Sequence, residues 1–329
     1  MSQYPDRELP ARISGDYQPS LRPVNEGAEK WLYRPISCLN HGFVYLVDYM
    51  GNDEAIAQAA RVSYGAGTKK AQTDADLIRY LLRHAHTTPF EMVEFKFHCK
   101  MPIFVARQWI RHRMASVNEY SGRYSEMLNE FYLPEPEAIR KPSVSNRQGR
   151  GDDLTAERQR DVLSILKAEF ARQYNVYQGL LHTDVAKELA RIGLSVANYT
   201  QWYWKIDLHN LMHFLRLRLD SHAQHEIQVY GQAMSRIVES AVPIVYQAFS
   251  DYRLNAIQLS ALDVAVIQSG SWPRNEEKVL KELAARFSNK RERDECFQKL
   301  KQLSCTLIKR WLHLHSFLSA PPWLPRCSI

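Results

Sequence analysis

Between Arg107 and Ser125 the chain reads RQWIRHRMASVNEYSGRYS, which packs four arginines (Arg107, Arg111, Arg113, Arg123) together with His112, Asn118, Glu119 and the serines Ser116, Ser121 and Ser125. Arginine stays charged at any working pH, and its planar fork of donors matches phosphate oxygens two at a time, so arginines beside hydroxyls make a phosphate grip. Glu119 is the exception to the positive charge. A lone carboxylate here can accept from a sugar hydroxyl or fix an arginine, which points to a nucleotide rather than bare phosphate. The same charge would also suit a basic surface loop that touches nucleic acid.

Three further blocks carry reactive side chains. His86-Thr87-Thr88-Pro89-Phe90-Glu91 puts a histidine ahead of a proline turn, where it could equally serve a helix C-terminus. Arg191 precedes Ile192-Gly193. The stretch from His209 to Glu226 holds Arg218, His222 and Glu226 at intervals of four, which on a continuous helix share one face. His222, His225 and Glu226 do not make a zinc motif, because HExxH needs its histidines four apart with glutamate directly after the first, and this order is HAQHE. Ser121 has no base paired with it in the sequence and reads as a phosphate-binding hydroxyl rather than a nucleophile. Gly122 suits a place where backbone approaches a ligand. Gln108 lies inside an expected helix, where a structural hydrogen bond competes with a ligand role.

Taken in order, Arg111-His112-Arg113, Ser116, Asn118-Glu119, Ser121 and Arg123-Tyr124 resemble the signature of the flavin-dependent thymidylate synthases, and the blocks at His86, Arg191 and Arg218 repeat the resemblance over roughly residues 40–260. The resemblance implies formation of dTMP from dUMP, with 5,10-methylenetetrahydrofolate as carbon donor, FAD carrying hydride, NADPH as reductant and no cysteine nucleophile. It assigns FAD contacts to His86, Thr88, Arg111, His112, Arg113, Glu119, Asp207, Leu208, His209 and His213. It assigns dUMP contacts to Gln108, Trp109, Ile110, Arg111, Glu119, Tyr120, Ser121, Gly122, Arg123 and Arg191, and gives Arg218 both a dUMP contact and the central catalytic role. It further implies an α/β fold with a mixed sheet flanked by long helices, and a homotetramer whose active sites are shared between subunits. There is no GxGxxG or P-loop, so FAD is not expected on a Rossmann crossover. The chain departs from the family pattern at Met92, at His213 and at Asp207-Leu208-His209, where histidine or asparagine is common. Those departures leave an inactive relative as one alternative, and an RNA-binding protein using the arginines and the aromatic run Tyr199–Trp204 as another.

The elements that must position these residues follow from periodicity. Gly42–Val47 reads as a strand, Asp53–Val62 and Asp74–His84 as helices, and Val93–Met101 as a half-buried strand with Val93, Phe95, Phe97, Cys99 and Met101 on one face. Pro102 opens a helix from Ile103 to Ile110 that delivers the arginine cluster. Residues 133–153 read as a long loop. Helices follow over Leu154–Leu181 and Asp184–Ile192, then a strand from Tyr199 to Trp204, then helices over Leu208–Leu219, Ala223–Phe249, Glu276–Phe287 and Lys290–Leu303. This gives an extended arm over 1–38, the synthase-like domain over 39–260 and a helical extension over 261–329.

With 329 residues, 24% charged and 45% hydrophobic, the chain has the composition of a soluble globular enzyme. The net charge of +7 favours anionic partners: nucleotides, folates with glutamate tails, or nucleic acid nonspecifically. Five scattered cysteines without a CxxC pair suggest neither a disulfide framework nor a metal ribbon, and the default expectation is a reduced, cytoplasmic protein. No run approaches the roughly 18 apolar residues of a membrane span, so no membrane partner is expected; the resemblance implies small-molecule ligands and no nucleic-acid partner.

Overall fold

The structure is a computed structural model that describes residues 22–62, 73–143, 149–269 and 276–314. The first 21 residues of the expected arm, and the tail from 315 with Cys327, lie outside the described residues. Two units are distinguished, Met1–Leu254 and Asn255–Ile329.

In the first unit α1 (Glu26–Glu29) and β1 (Ile36–Cys38) precede β2 (Gly42–Met50), α2 (Asp53–Arg61), α3 (Asp74–Arg83), α4 (Thr88–Glu91), β3 (Glu94–Pro102), α5 (Ile103–Trp109) and β4 (Ser116–Glu119). A hairpin of β5 (Arg140–Pro142) and β6 (Arg150–Asp153) leads to α6 (Ala156–His182), α7 (Lys187–Ala190), β7 (Tyr199–Asp207), α8 (Leu208–Arg218), α9 (His225–Ala241) and α10 (Pro243–Phe249). The main sheet has the order β1-β2-β3-β7-β4, and every ladder in it is antiparallel. Among the described residues the parallel pairing expected of a mixed sheet is confined to one isolated bridge, Leu32 with Leu46.

The alternation read in β3 decides which face is core. Phe95, Phe97, Cys99 and Met101 are buried, as are Trp202, Trp204 and Ile206 of β7 opposite them. Against this face pack the apolar stripes of α8 and α9, whose Phe214, Leu215, Ile227, Tyr230 and Met234 are fully buried. From Arg22 onward the expected arm belongs to this unit: Ala28 is fully buried, and Asn25 donates to the Ala241 carbonyl at 2.8 Å.

Four expectations change. Arg218, His222 and Glu226 do not share a helix face, because α8 stops at Arg218 and α9 begins at His225. Asp220 breaks the run: its carboxylate accepts from the His222 amide at 2.8 Å and its carbonyl accepts from the Ala223 amide, a local turn that competes with the helix. The helix read as ending at Phe249 is divided at Pro243, which lacks the amide a continuing helix needs. The expected loop over 133–153 holds the β5–β6 hairpin, and only its residues 144–148 lie outside the described residues. Finally, the arginine-rich segment, whose charge also suits a basic surface loop, contains β4, whose partner β7 is about eighty residues away in sequence.

The second unit contains α11 (Ala261–Gln268), α12 (Glu276–Arg286) and α13 (Lys290–Leu314). Its own core joins Val266, Val279, Leu283, Phe287, Cys296 and Leu300. Buried Asp263 completes a capping box with Ser260 and receives Lys299 Nζ at 2.8 Å.

Candidate active site

Trp109 fixes the end of α5. Its indole is fully buried, stacked on Phe214 at 5.0 Å and set edge-on to Trp202 and Trp204 at 5.5 and 5.3 Å. With the helix end held by that packing, the Gln108 carbonyl and the His112 ring are presented at its exit. Arg218, the last residue of α8 and half-buried, reaches both: its Nη2 donates to the Gln108 carbonyl at 3.3 Å and its Nε to His112 Nε2 at 3.1 Å. A guanidinium has five N–H donors, so donors remain for a ligand. Burial, then the positive charge of Arg218, hold His112 down to about 4, and burial also lowers Arg218 itself. The Gln108 side chain meets that of Gln224.

The face of α8 that carries His209, His213 and Arg216 follows from its spacing of four and then three residues. Asp207 caps that helix, accepting from the Asn210 amide at 2.9 Å and from Asn210 Nδ2 at 2.7 Å. A pocket of about 270 Å³ gathers His209, His213 and Arg216 with His86, Thr87 and Arg253. Its apolar wall comes from Phe90, Met212 and Phe249, and no carboxylate lines it. Burial, Arg216 and His209 push His213 below its ordinary value.

A second group sits where β4 leaves the sheet. Glu119, opposite Trp202 in the ladder, accepts from Thr200 Oγ1 at 2.7 Å while its carboxylate stays exposed. The chain then turns: the Ser121 carbonyl accepts from the amides of Tyr124 and Ser125 at 3.2 and 3.0 Å, and Ser121 Oγ accepts from the Arg123 amide at 3.3 Å. Tyr120 closes that turn by donating to the Glu126 carbonyl at 2.5 Å. Gly122 is where Arg191 comes in. A Cβ on Gly122 would lie 3.1 Å from Arg191 Cδ and Nη1 and 2.8 Å from Met127 Sδ, so any side chain there would press on the arginine and the methionine. Arg123 donates to Glu188 at 2.9 Å.

The sequence-derived residues therefore fall into two groups. Gln108, His112, Arg218, His86, His209 and His213 are drawn together around α8, whereas Glu119, Tyr120, Ser121, Gly122, Arg123 and Arg191 surround the turn after β4. Among the described residues no hydrogen bond or ion pair joins the second group to the first. Ile110, Arg111 and Arg113 are exposed where α5 ends, and the two arginines have no ion pair among the described residues. The side chains of Trp109 and Leu208 are fully buried, so only their main chain is open to a ligand. Thr88 is exposed at the start of α4, while its neighbour Thr87 lines the pocket. The sequence reading omits Thr200, Gln224, Arg216 and Arg253. Of these only Arg216 carried a signal, seven residues after His209.

Residues 45–244 match the family described as "Thymidylate synthase complementing protein". The chain is 58% identical over 247 residues to the flavin-dependent thymidylate synthase of Ruegeria pomeroyi, an alignment covering 74% of this chain and 82% of the relative. It belongs to the flavin-dependent thymidylate synthase family. A second member, from Gluconobacter oxydans, is 56% identical over 254 residues, with 76% of this chain and 84% of the relative covered. Among solved structures, the UMP/dUMP methylase PolB of Streptomyces cacaoi bound with 5-Br UMP superposes with a TM-score of 0.60 at 31% identity, over 67% of this chain and 98% of that one. As a flavin-dependent thymidylate synthase family member the chain is an enzyme with the family's fold. The matched residues include both site groups and exclude Phe249, Arg253 and the whole second unit.

Proposed function

We propose that the chain reductively methylates dUMP to dTMP, with 5,10-methylenetetrahydrofolate as carbon donor, FAD as the hydride carrier and NADPH as reductant. The observation that carries this reading is Arg218, pinned through two of its donors by Gln108 and His112 with others left over. A guanidinium against the uracil edge favours the N3-deprotonated base, as a neighbouring cation favours the charged form of any acid, and this readies C6 for attack without a protein nucleophile. Neutral His112 fixes the guanidinium's orientation without competing for charge. Arg123, Arg191 and the Ser121 hydroxyl supply donors for the nucleotide phosphate, and Gly122 leaves room for Arg191 to reach it. Exposed Glu119 serves the sugar side.

The pocket fits a flavin: aromatic and apolar walls for a ring system, cations for phosphate, and no acid to repel it. His86, His209 and His213 are the residues that hold FAD there, and Arg111 and Arg113, exposed beyond α5, add positive charge for it. When bound, FAD supplies the hydride, so the difficult chemistry is the cofactor's while the chain binds and orients. Because no hydrogen bond or ion pair among the described residues joins the two groups, we assign each complete site to two subunits of a cytoplasmic homotetramer. The reading is tested by following dTMP formation from dUMP with the wild-type chain and with Arg218→Ala; dTMP formation should be nearly abolished in the variant, and wild-type rates there would remove Arg218 from the chemistry.

A further inference from the structure

We infer that Arg216, with Arg253 in the same pocket, is the phosphate grip that lets this chain select a flavin dinucleotide over the phosphate-free flavin. The inference rests on the flavin reading of the pocket and adds what recognises the ligand's charged part. The pocket collects two arginines and three histidines without any carboxylate. The Arg216 side chain has neither ion pair nor hydrogen bond among the described residues, although it stands on the pocket face of α8.

Arg253 is held differently. Its Nη2 donates to the Leu82 carbonyl at 2.6 Å and its Nη1 to the Tyr252 carbonyl at 3.1 Å, so its charge is fixed at the pocket with donors to spare. The two positions thus combine a preorganised guanidinium with a free one. Both offer planar donor pairs suited to a pyrophosphate, which carries several acceptor oxygens on adjacent phosphorus atoms. Riboflavin lacks those anionic oxygens and offers a guanidinium only the neutral acceptors of its ring and ribityl chain.

The test measures equilibrium binding of FAD and of riboflavin, by quenching of flavin fluorescence, to the wild-type chain, Arg216→Ala and Arg216→Lys. Arg216 is the residue to vary, because Arg253 also holds two carbonyls and its loss would disturb the fold. Arg216→Ala should bind FAD at least about tenfold more weakly and riboflavin as wild type does. Arg216→Lys should recover part of the loss, and salt should weaken FAD binding less in Arg216→Ala than in wild type. Unchanged FAD affinity in Arg216→Ala, or an equal loss for both flavins, would overturn the inference and leave the flavin reading in place. A folded wild-type chain that bound neither flavin would overturn the flavin reading, and this inference with it.

Discussion

Arg218 donates through Nε to Nε2 of His112 at 3.1 Å, and because a guanidinium can only donate, the imidazole must accept there and keep its single proton on Nδ1. The bond exists only while His112 is neutral. Burial and the Arg218 charge enforce this by holding the ring down to about 4, against an ordinary histidine value near 6.5.

Stability should therefore depend on pH in a defined window. Between about 6.5 and about 4 the unfolded chain protonates His112 while the folded chain resists, so this contribution is complete above the unfolded value and is lost as pH falls towards 4. Urea unfolding at a series of pH values should show a shallower decline over that window in His112→Gln than in wild type. Identical slopes would mean that the ring is not held neutral.

Gly122→Ala should separate binding from chemistry. The added methyl meets Arg191 and Met127, so it displaces the arginine assigned to the nucleotide while leaving Arg218 untouched. The Michaelis constant for dUMP should rise several-fold with a smaller fall in kcat, a pattern that steady-state kinetics resolves.

If each site draws Arg218 from one subunit and Arg191 from another, two inactive variants should rescue one another. Arg218→Ala and Arg191→Ala, refolded or coexpressed together, should form mixed assemblies with some intact sites and regain part of the wild-type rate. Activity no greater than the sum of the separate variants would place both arginines in one chain's site.

Glu226 should show its importance in stability. It is almost wholly buried, accepts from Tyr132 Oη at 2.8 Å, and pairs with Arg150 of the β5–β6 hairpin, which keeps its carboxylate below the ordinary range. Arg150→Ala leaves that charge buried without its ion partner and should cost about 3 kcal/mol in chemical denaturation. Adding Glu226→Gln to Arg150→Ala should restore part of it.

Much of this architecture is written locally. The alternation in β3, the Asn52 and Thr73 caps of α2 and α3, and the helical spacing of Phe170 and Tyr177 in α6 each come from a few neighbouring residues. What escaped the sequence is non-local. β4 exists because it pairs with β7, and its own Ser-Val-Asn-Glu gives no strand signal. Trp109 sits among ligand-facing residues by motif, yet the convergence of Trp202, Trp204 and Phe214 makes it core. The family motif led directly to Arg218 and Arg191, whereas Arg253 approaches the pocket only because the turn after α10 folds back to the Leu82 carbonyl.

The most direct measurement is dTMP production from dUMP by the purified chain given methylenetetrahydrofolate, FAD and NADPH, with each component omitted in turn. Product should form with the complete mixture and be lost when the folate, the flavin (after its removal from the protein) or NADPH is withheld. Product that persists without flavin, or none from folded protein with every component present, would contradict this function.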